Sequence, residues 1–284
     1  MKTAVFIISH NRPEVYTYHA LRLSGCTQDI YIVVDDKDTQ LDEYKKRYKE
    51  NILVFSKDDY TMIDMADLLP SLNSATTPKY AAFRFASEMG LDAMAIFDDD
   101  LKDFKYRYEN ENKLSTMWFK DVPRMQRVLD ACFEFVAKQE IPCCLSFYPA
   151  AKVFPDTMKK FIRQSINMFV TTPTFGLRTI GKLCPFKGRF YEDENFFVKF
   201  NSIGALVFAV QNITFMSATF ETKDNNGGMN PVYEQTSTYS RKFQLVLENP
   251  WNSPIGIFEK GGVFRTSTKS ADYSRILPES CKKV

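Results

Sequence analysis

The sequence has only two histidines, His10 and His19, and both stand near its start. A zinc site built on imidazole has almost nothing to draw on. The six cysteines, Cys26, Cys132, Cys143, Cys144, Cys184 and Cys281, include no Cys-x-x-Cys pair. Adjacent Cys143 and Cys144 are badly placed for a mutual disulfide. Reduced thiols in a cytoplasmic protein are therefore expected. Long apolar runs are also absent. The run from Ala4 to Ile8 is five residues long and stops at Ser9-His10-Asn11-Arg12. That is too short for a signal-peptide core, and no later run is long enough to span a membrane, so no membrane partner is expected. Charge of one sign is scarce too: 37 Lys and Arg against 35 Asp and Glu leave a net +2. Any nucleic-acid binding must come from a local patch, not from the field of the whole molecule. There is no internal repeat and no low-complexity tract.

What remains is 284 residues with 44% hydrophobic and 25% charged content, enough for one good core or two small domains. The 25 Phe and 14 Tyr suit a sheet-rich fold and stacking surfaces. Residues 4–8 predict a buried strand, and 14–23 a helix with Pro13 at its entry and Gly25 at its close. Residues 29–34 predict a second strand ending in Asp35-Asp36-Lys37-Asp38, 41–51 an amphipathic helix, and 52–55 a third strand. Strands alternating with helices predict an α/β fold around an open, mostly parallel, Rossmann-type sheet. Residues 64–77 are looser and are expected to wrap its edge. A helix over 78–89, stopped by Gly90, leads into the next apolar run.

That run, Ala93-Met94-Ala95-Ile96-Phe97, ends in Asp98-Asp99-Asp100. Open α/β sheets bind ligands at such strand ends. Three adjacent carboxylates repel one another unless a cation joins them. In an extended segment Asp98 and Asp100 point to one side and Asp99 to the other. Asp98 and Asp100 are the candidate ligands of a divalent metal, which in turn holds a phosphate. The bland reading is an acidic turn at the start of a following helix.

Beyond the acids, 102–115 reads as a polar stretch, 123–138 as an amphipathic helix and 143–148 as a strand. Residues 152–178 mix aromatic, Met and basic residues without clear signals. A helix is expected over 192–203, opened by Glu192-Asp193-Glu194, with strands over 205–210 and 215–220. Asn225-Asn226-Gly227-Gly228 is a turn signal. Lys159, Lys160, Arg163, Arg178, Lys182, Lys187 and Arg189, with a basic tail from Lys260 to Lys283, could track phosphates or be ordinary surface charges.

The order of these motifs is Ser-His-Asn-Arg-Pro after the first strand, Asp35 after the second, the Asp triplet after a Lys79- and Arg84-bearing helix, then Glu-Asp. It resembles the nucleotide-sugar glycosyltransferases of the GT-A fold over about two thirds of the chain. The resemblance implies a nucleotide-sugar half, residues 1–110, and an acceptor half, 111–284. Ser9, His10, Arg12 and Asp35 would cradle the base and ribose of a nucleotide sugar such as a UDP-sugar. Asp98 and Asp100 would hold Mn²⁺ or Mg²⁺ on the diphosphate, with Asp99 beside them in the donor site. Lys79 and Arg84 would help to stabilise the leaving diphosphate, unless they only form a solvated helix face. Asp193 would be the general base, with Glu192 or Glu194 able to substitute. Backbone N–H groups at Gly227 and Gly228 could approach the diphosphate or acceptor, although a plain hairpin turn fits as well. One departure stands out: no histidine follows His19, so Glu221, Asp224 or water must complete any metal shell.

Within that class the first strand end, the Asp triplet, the Glu-Asp before a Phe-rich helix and the late Gly-Gly turn resemble the TET-associated, phage-type glycosyltransferases. That implies an acceptor in duplex DNA, 5-hydroxymethylcytosine or a related base in phage DNA, reached by flipping. The alternatives are a saccharide or protein acceptor, or a non-catalytic nucleic-acid-binding domain on the same scaffold. A nucleotidyltransferase would need a Gly-rich loop after the first strand, which this sequence lacks.

Overall fold

Strand β1 (Thr3–Ile8) is buried at every position after Thr3, and its neighbours explain why. In the computed structural model, which describes residues 1–65, 67, 69, 73–110, 113–149, 167–173, 188–193, 195–196, 205–218, 229–237, 241, 244, 257–260 and 263–266, β1 lies inside a large sheet. Helix α1 (Tyr16–Leu23), β2 (Ile30–Asp35), α2 (Leu41–Tyr48), β3 (Ile52–Phe55), α3 (Thr76–Glu88) and β4 (Ala93–Asp98) follow in alternation. β1 pairs in parallel with both β2 and β4, and β2 with β3. Helices cover both faces, so these strands read as unbroken apolar runs and not as alternating ones. On one face Val5, Ile7, Ile32, Val34 and Phe97 pack against Leu21 of α1 and Tyr44 of α2. On the other, Phe6, Ile8, Met94 and Ile96 meet Tyr80, Ala82 and Phe83 of α3. Each such side chain contributes about 1.5–3 kcal/mol by burial.

Gly25 ends α1 as the sequence predicts. Its φ is +75°, and a Cβ there would sit 3.1 Å from the Pro123 carbonyl oxygen. Side chains are strained at that φ, which glycine adopts freely.

After β4 come β5 (Leu101–Asn110), β6 (Lys113–Asp121), α4 (Met125–Ala137), β7 (Cys143–Pro149), β8 (Met168–Thr171) and β9 (Leu206–Ser217). The sheet order is β3-β2-β1-β4-β8-β7-β9-β5-β6. β8 runs antiparallel to β4 and β7, and β5 antiparallel to β9 and β6. The other seven strands share one direction, so the sheet is open, α/β and mostly parallel. α4 joins the first face through Leu129 and Phe133.

Two local expectations are corrected. Residues 102–115 form most of a β5–β6 hairpin, with Leu101 and Phe104 buried; the charged residues between the aromatics hide a two-residue alternation. The two strands expected over 205–220 are one, β9, whose register against β7 shifts between Phe147 and Tyr148. Beyond β9 the described elements are α5 (Asn230–Glu234) and the hairpin β10 (Ile257–Lys260) and β11 (Val263–Thr266). Cys26, Cys132, Cys143 and Cys144 are buried free thiols. Among the described residues no helix is long and apolar enough to cross a membrane.

Candidate active site

The parallel strands β1 to β4 end at one edge of the sheet, and a cleft of about 350 Å³ opens there. Its wall carries Ser9, His10 and Arg12 from the end of β1, Asp35 from β2, Lys57 after β3, and all three acids after β4. This is where an open parallel sheet leaves unpaired strand ends for a ligand.

The three acids are not equivalent. β4 ends at Asp98, and Asp99 and Asp100 form the turn into β5, so the extended geometry expected for the triplet does not apply. Thr17 of α1 fastens the turn. Its hydroxyl donates to the Asp98 carbonyl (2.5 Å) and accepts from the Leu101 N–H (2.9 Å), and its own N–H donates to the Asp99 carbonyl (3.2 Å). Asp99 faces inward. One oxygen accepts from Ser9 Oγ at 2.6 Å and the other pairs with Arg12 Nη2 at 3.0 Å. Tyr44 extends the network, with its hydroxyl 2.6 Å from Ser9 Oγ and accepting from the Arg12 N–H at 2.9 Å. Burial pushes the Asp99 carboxyl up to about 6 against the pull of Arg12 and Ser9. Asp99 thus lies in the cleft wall as expected of a donor-site residue, with its oxygens engaged by the loop after β1.

Asp98 and Asp100 differ from it. Asp98 Oδ2 accepts from Asn167 Nδ2, while Asp98 Oδ1 and Asp100 Oδ1 are buried with no hydrogen-bond partner among the described residues. Burial drives the Asp98 carboxyl up to about 7, opposed by Lys79, and raises Asp100 as well. Two buried carboxylate oxygens left without donors are costly alone and fit an oxygen-seeking divalent cation. Among the described residues no group of three or more His, Cys, Asp or Glu could hold an ion. Water or substrate oxygens can fill out such a shell, as is usual for Mg²⁺, and Glu221 and Asp224, the other expected ligands, lie outside the described residues.

One end of the cleft is polar and shaped by β2 and β3. Asp35 Oδ2 pairs with Lys57 Nζ at 2.5 Å, and Lys57 donates to Asn73 Oδ1 at 2.7 Å. Asp35 Oδ1 is buried without a hydrogen-bond partner among the described residues. His10 Nδ1 lies 3.1 Å from Asp38 Oδ2, which also accepts from the Asn11 N–H at 2.7 Å. Asn11 takes φ +53°, a conformation asparagine tolerates.

The other end is closed by Asn167, Glu192 and Tyr233, and these three also line a second hollow of about 550 Å³. Asp193, Phe190 and Arg241 face this hollow. Lys79, 1% exposed, lies between the two spaces, with Nζ 3.4 Å from Glu192 Oε1 and 3.8 Å from Asp98 Oδ1. Burial opposes its charge, but Asp98, Glu192 and Asp193 outweigh burial and raise its pKa. The segment before Glu192 is tied down by Gly188 N–H to the Asp64 carbonyl and Arg189 N–H to the Met65 carbonyl. Burial and then Glu192, Asp193 and Asp98, against the pull of Arg241, push the Tyr233 hydroxyl up to about 12.

The structure thus brings Ser9, His10, Arg12, Asp35, Asp98, Asp99, Asp100 and Glu192 to one cleft, with Lys79 and Asp193 at its far end. It does not bring Arg84 there. The guanidinium lies over the rings of Tyr60 and Phe85 and pairs with Asp59 and Glu88. Five residues along a helix turn a side chain well away from Lys79's face. Arg189 is corrected too: it is 1% exposed and pairs with both oxygens of Asp67, so it is no phosphate tracker. Gly227, Gly228, Glu194, Glu221, Asp224, Lys159, Lys160, Arg163, Arg178, Lys182, Lys187 and the tail from Lys269 lie outside the described residues. Of the helix expected over 192–203, only residues 192–193 and 195–196 are described, and they are helical. The sequence reading missed Lys57, Asn73, Asn167, Tyr44 and Tyr233. Lys57 follows a strand end, so the rule that found Asp35 would have found it; the others carry no local signal.

A family model described as TET-Associated Glycosyltransferase matches residues 3–228. No curated protein matches the chain. Among solved structures it is similar to a Drosophila beta-1,4-galactosyltransferase 7 in complex with manganese, UDP-Gal and xylobiose, at 13% identity over 97% of each chain and TM-score 0.41. It is also similar to GalNAc-T7 with UDP, GalNAc and Mn²⁺, at 12% identity over 88% of this chain and 48% of that one, TM-score 0.45. A cytidylyltransferase from Leptospira borgpetersenii aligns at 12% identity over 74% of this chain and 76% of that one, TM-score 0.40.

Proposed function

The chain belongs to the TET-associated glycosyltransferase family, and from that premise we propose that it moves the sugar of a UDP-sugar to the hydroxymethyl oxygen of 5-hydroxymethylcytosine, or a related base, in phage DNA. Glycosyl transfer itself follows from the family. One observation carries the donor side: Asp98 Oδ1 and Asp100 Oδ1 are buried in the wall of the strand-end cleft with no hydrogen-bond partner among the described residues.

Residues up to about 110 form the donor half in this reading, and those after it the acceptor half. Asp35, Lys57 and His10 take the nucleoside at the polar end of the cleft. Ser9 and Arg12 hold the loop that shapes it. A divalent cation such as Mn²⁺ or Mg²⁺, held by Asp98 and Asp100, would supply Lewis-acid neutralisation of the leaving diphosphate. Lys79 keeps Glu192 and Asp98 in place and adds positive charge next to the leaving group. Backbone N–H groups at Gly227 and Gly228 are further candidates for the diphosphate. Asp193, in the hollow beyond, takes the proton of the acceptor hydroxyl as its oxygen bonds to the sugar and the bond to the diphosphate breaks. Glu192 is the alternative base. The protein works in the cytoplasm, where UDP-sugars and phage DNA meet.

The test is to incubate the protein with hydroxymethylated duplex DNA, Mn²⁺ and a panel of UDP-sugars, then weigh the released nucleosides. A mass gain of one sugar on the hydroxymethylated nucleoside is expected. Asp193→Asn should keep donor affinity and lose transfer by roughly 10²–10⁴-fold. Wild-type transfer rates in both Asp193→Asn and Glu192→Gln would remove the base from this site. Sugar found only on an added saccharide or protein would remove DNA as the acceptor.

A further inference from the structure

The hollow next to the donor cleft has a composition that the donor does not require. Phe190 and Tyr233 stack there with centroids 5.7 Å apart and planes at 27°. The Arg241 guanidinium lies 4.8 Å from the Tyr233 ring and 5.8 Å from that of Phe190, and its Nη1 donates to the Tyr233 carbonyl at 3.1 Å. Phe190 is 3% exposed and holds the stack from beneath, whereas Tyr233 is 47% exposed. The stack is thus buried at Phe190 and reaches the surface at Tyr233.

We propose that this hollow is the acceptor subsite, and that it takes a nucleobase turned out of its strand, with the ring against the Tyr233–Arg241 surface and the adjoining phosphodiester at Arg241. This rests on the base-acceptor reading above. Position supports it: the hollow shares Asn167, Glu192 and Tyr233 with the donor cleft and holds Asp193. A hydroxyl carried on the ring therefore reaches the carboxylates from the side opposite the nucleoside end. Charge supports it as well. Glu192 and Asp193 repel a phosphate from the inner end, and the guanidinium attracts it to the outer one. A ring surface and a guanidinium side by side suit a base linked to a phosphodiester.

The test measures steady-state transfer to a hydroxymethylated single-stranded oligonucleotide and to the free hydroxymethylated nucleoside. Tyr233→Leu should raise KM for both acceptors by at least ~5-fold, the low end for loss of a base-stacking ring, while Tyr233→Phe stays within about twofold of wild type. Arg241→Gln should raise KM for the oligonucleotide several-fold more than for the nucleoside and flatten the salt dependence of oligonucleotide binding. Wild-type acceptor KM in Tyr233→Leu, or equal rises for both acceptors in Arg241→Gln, would overturn the subsite. Should Tyr233→Leu fail to fold, the Arg241→Gln comparison decides alone. A wild-type protein that glycosylates a saccharide and no hydroxymethylated base would overturn the acceptor reading itself. One that glycosylates the base, with both variants at wild-type KM, would overturn only the subsite.

Discussion

Two buried acidic regions of this protein look alike by composition and differ in how their oxygens are used. Beneath the segment that carries Glu192, Asp67 meets Arg189 with both oxygens, at 2.6 and 3.1 Å, and Arg189 donates again to the Asn73 carbonyl at 2.6 Å. At the end of β4, Asp98 and Asp100 each keep one buried oxygen with no hydrogen-bond partner among the described residues, the Lys79 ammonium standing 3.8 Å from that of Asp98. The first arrangement is closed: its donors and acceptors match within the chain, and it positions backbone. The second is open and calls for something from outside. Asp99 stands between them in sequence and belongs to the closed kind, held by Ser9 and Arg12. A buried carboxylate is thus structural or ligand-binding according to whether the chain supplies its donors, not according to its burial.

That contrast can be broken most sharply at the open region. Asp98→Asn or Asp100→Asn should lower turnover by roughly 10³-fold, the scale of losing cation stabilisation of a leaving group. Calorimetry should show Mn²⁺-dependent UDP binding lost, while the melting temperature of Asp100→Asn holds or rises because a buried carboxylate oxygen without a hydrogen-bond partner among the described residues has gone. A Mn²⁺ dependence like that of wild type would mean that the orphan oxygens serve no cation.

The closed region should respond the other way. Asp67→Ala strands a buried guanidinium and should cost about 3–5 kcal/mol of stability, read by urea unfolding. Activity should fall only as the fold is lost. A stable Asp67→Ala variant would show that Arg189 finds other partners and that the pair does not anchor Glu192.

The smallest effect is expected at Arg84, whose carboxylate partners are exposed. Arg84→Ala should remove about 1 kcal/mol or less of surface pairing and ring contact, with kcat and donor KM within about twofold of wild type by steady-state assay. A joint loss of turnover and nucleoside diphosphate affinity would return Arg84 to the donor site.

The alternating half of the fold was legible because its signals are local. The apolar run of β1, the amphipathic α2 and α4 and the Gly25 stop of α1 each show within a dozen neighbouring residues. The ligand edge was legible for the same reason, since Asp35 and Asp98 are strand-end residues next to apolar runs. Lys79 and Glu192 were found by type, one in a helix and one in an acidic cluster, but their meeting at 3.4 Å was not. The β5–β6 hairpin was hidden because charged residues on its two strands masked the alternation.

The sequence by itself determined a mostly parallel α/β sheet, a strand-end cleft and the acids that wall it, because hydrophobic period and chain breaks act between near neighbours. Only the tertiary structure decided which of those acids are open. Ser9 reaches Asp99 across 90 positions, Asn167 reaches Asp98 across 69, and Arg189 reaches Asp67 across 122. It also decided that Lys79 turns inward and Arg84 outward on one helix, and that Phe190, Tyr233 and Arg241 meet beside the carboxylates. Each of these outcomes depends on a donor and an acceptor, or two faces, brought together from distant segments, and no local period encodes that meeting.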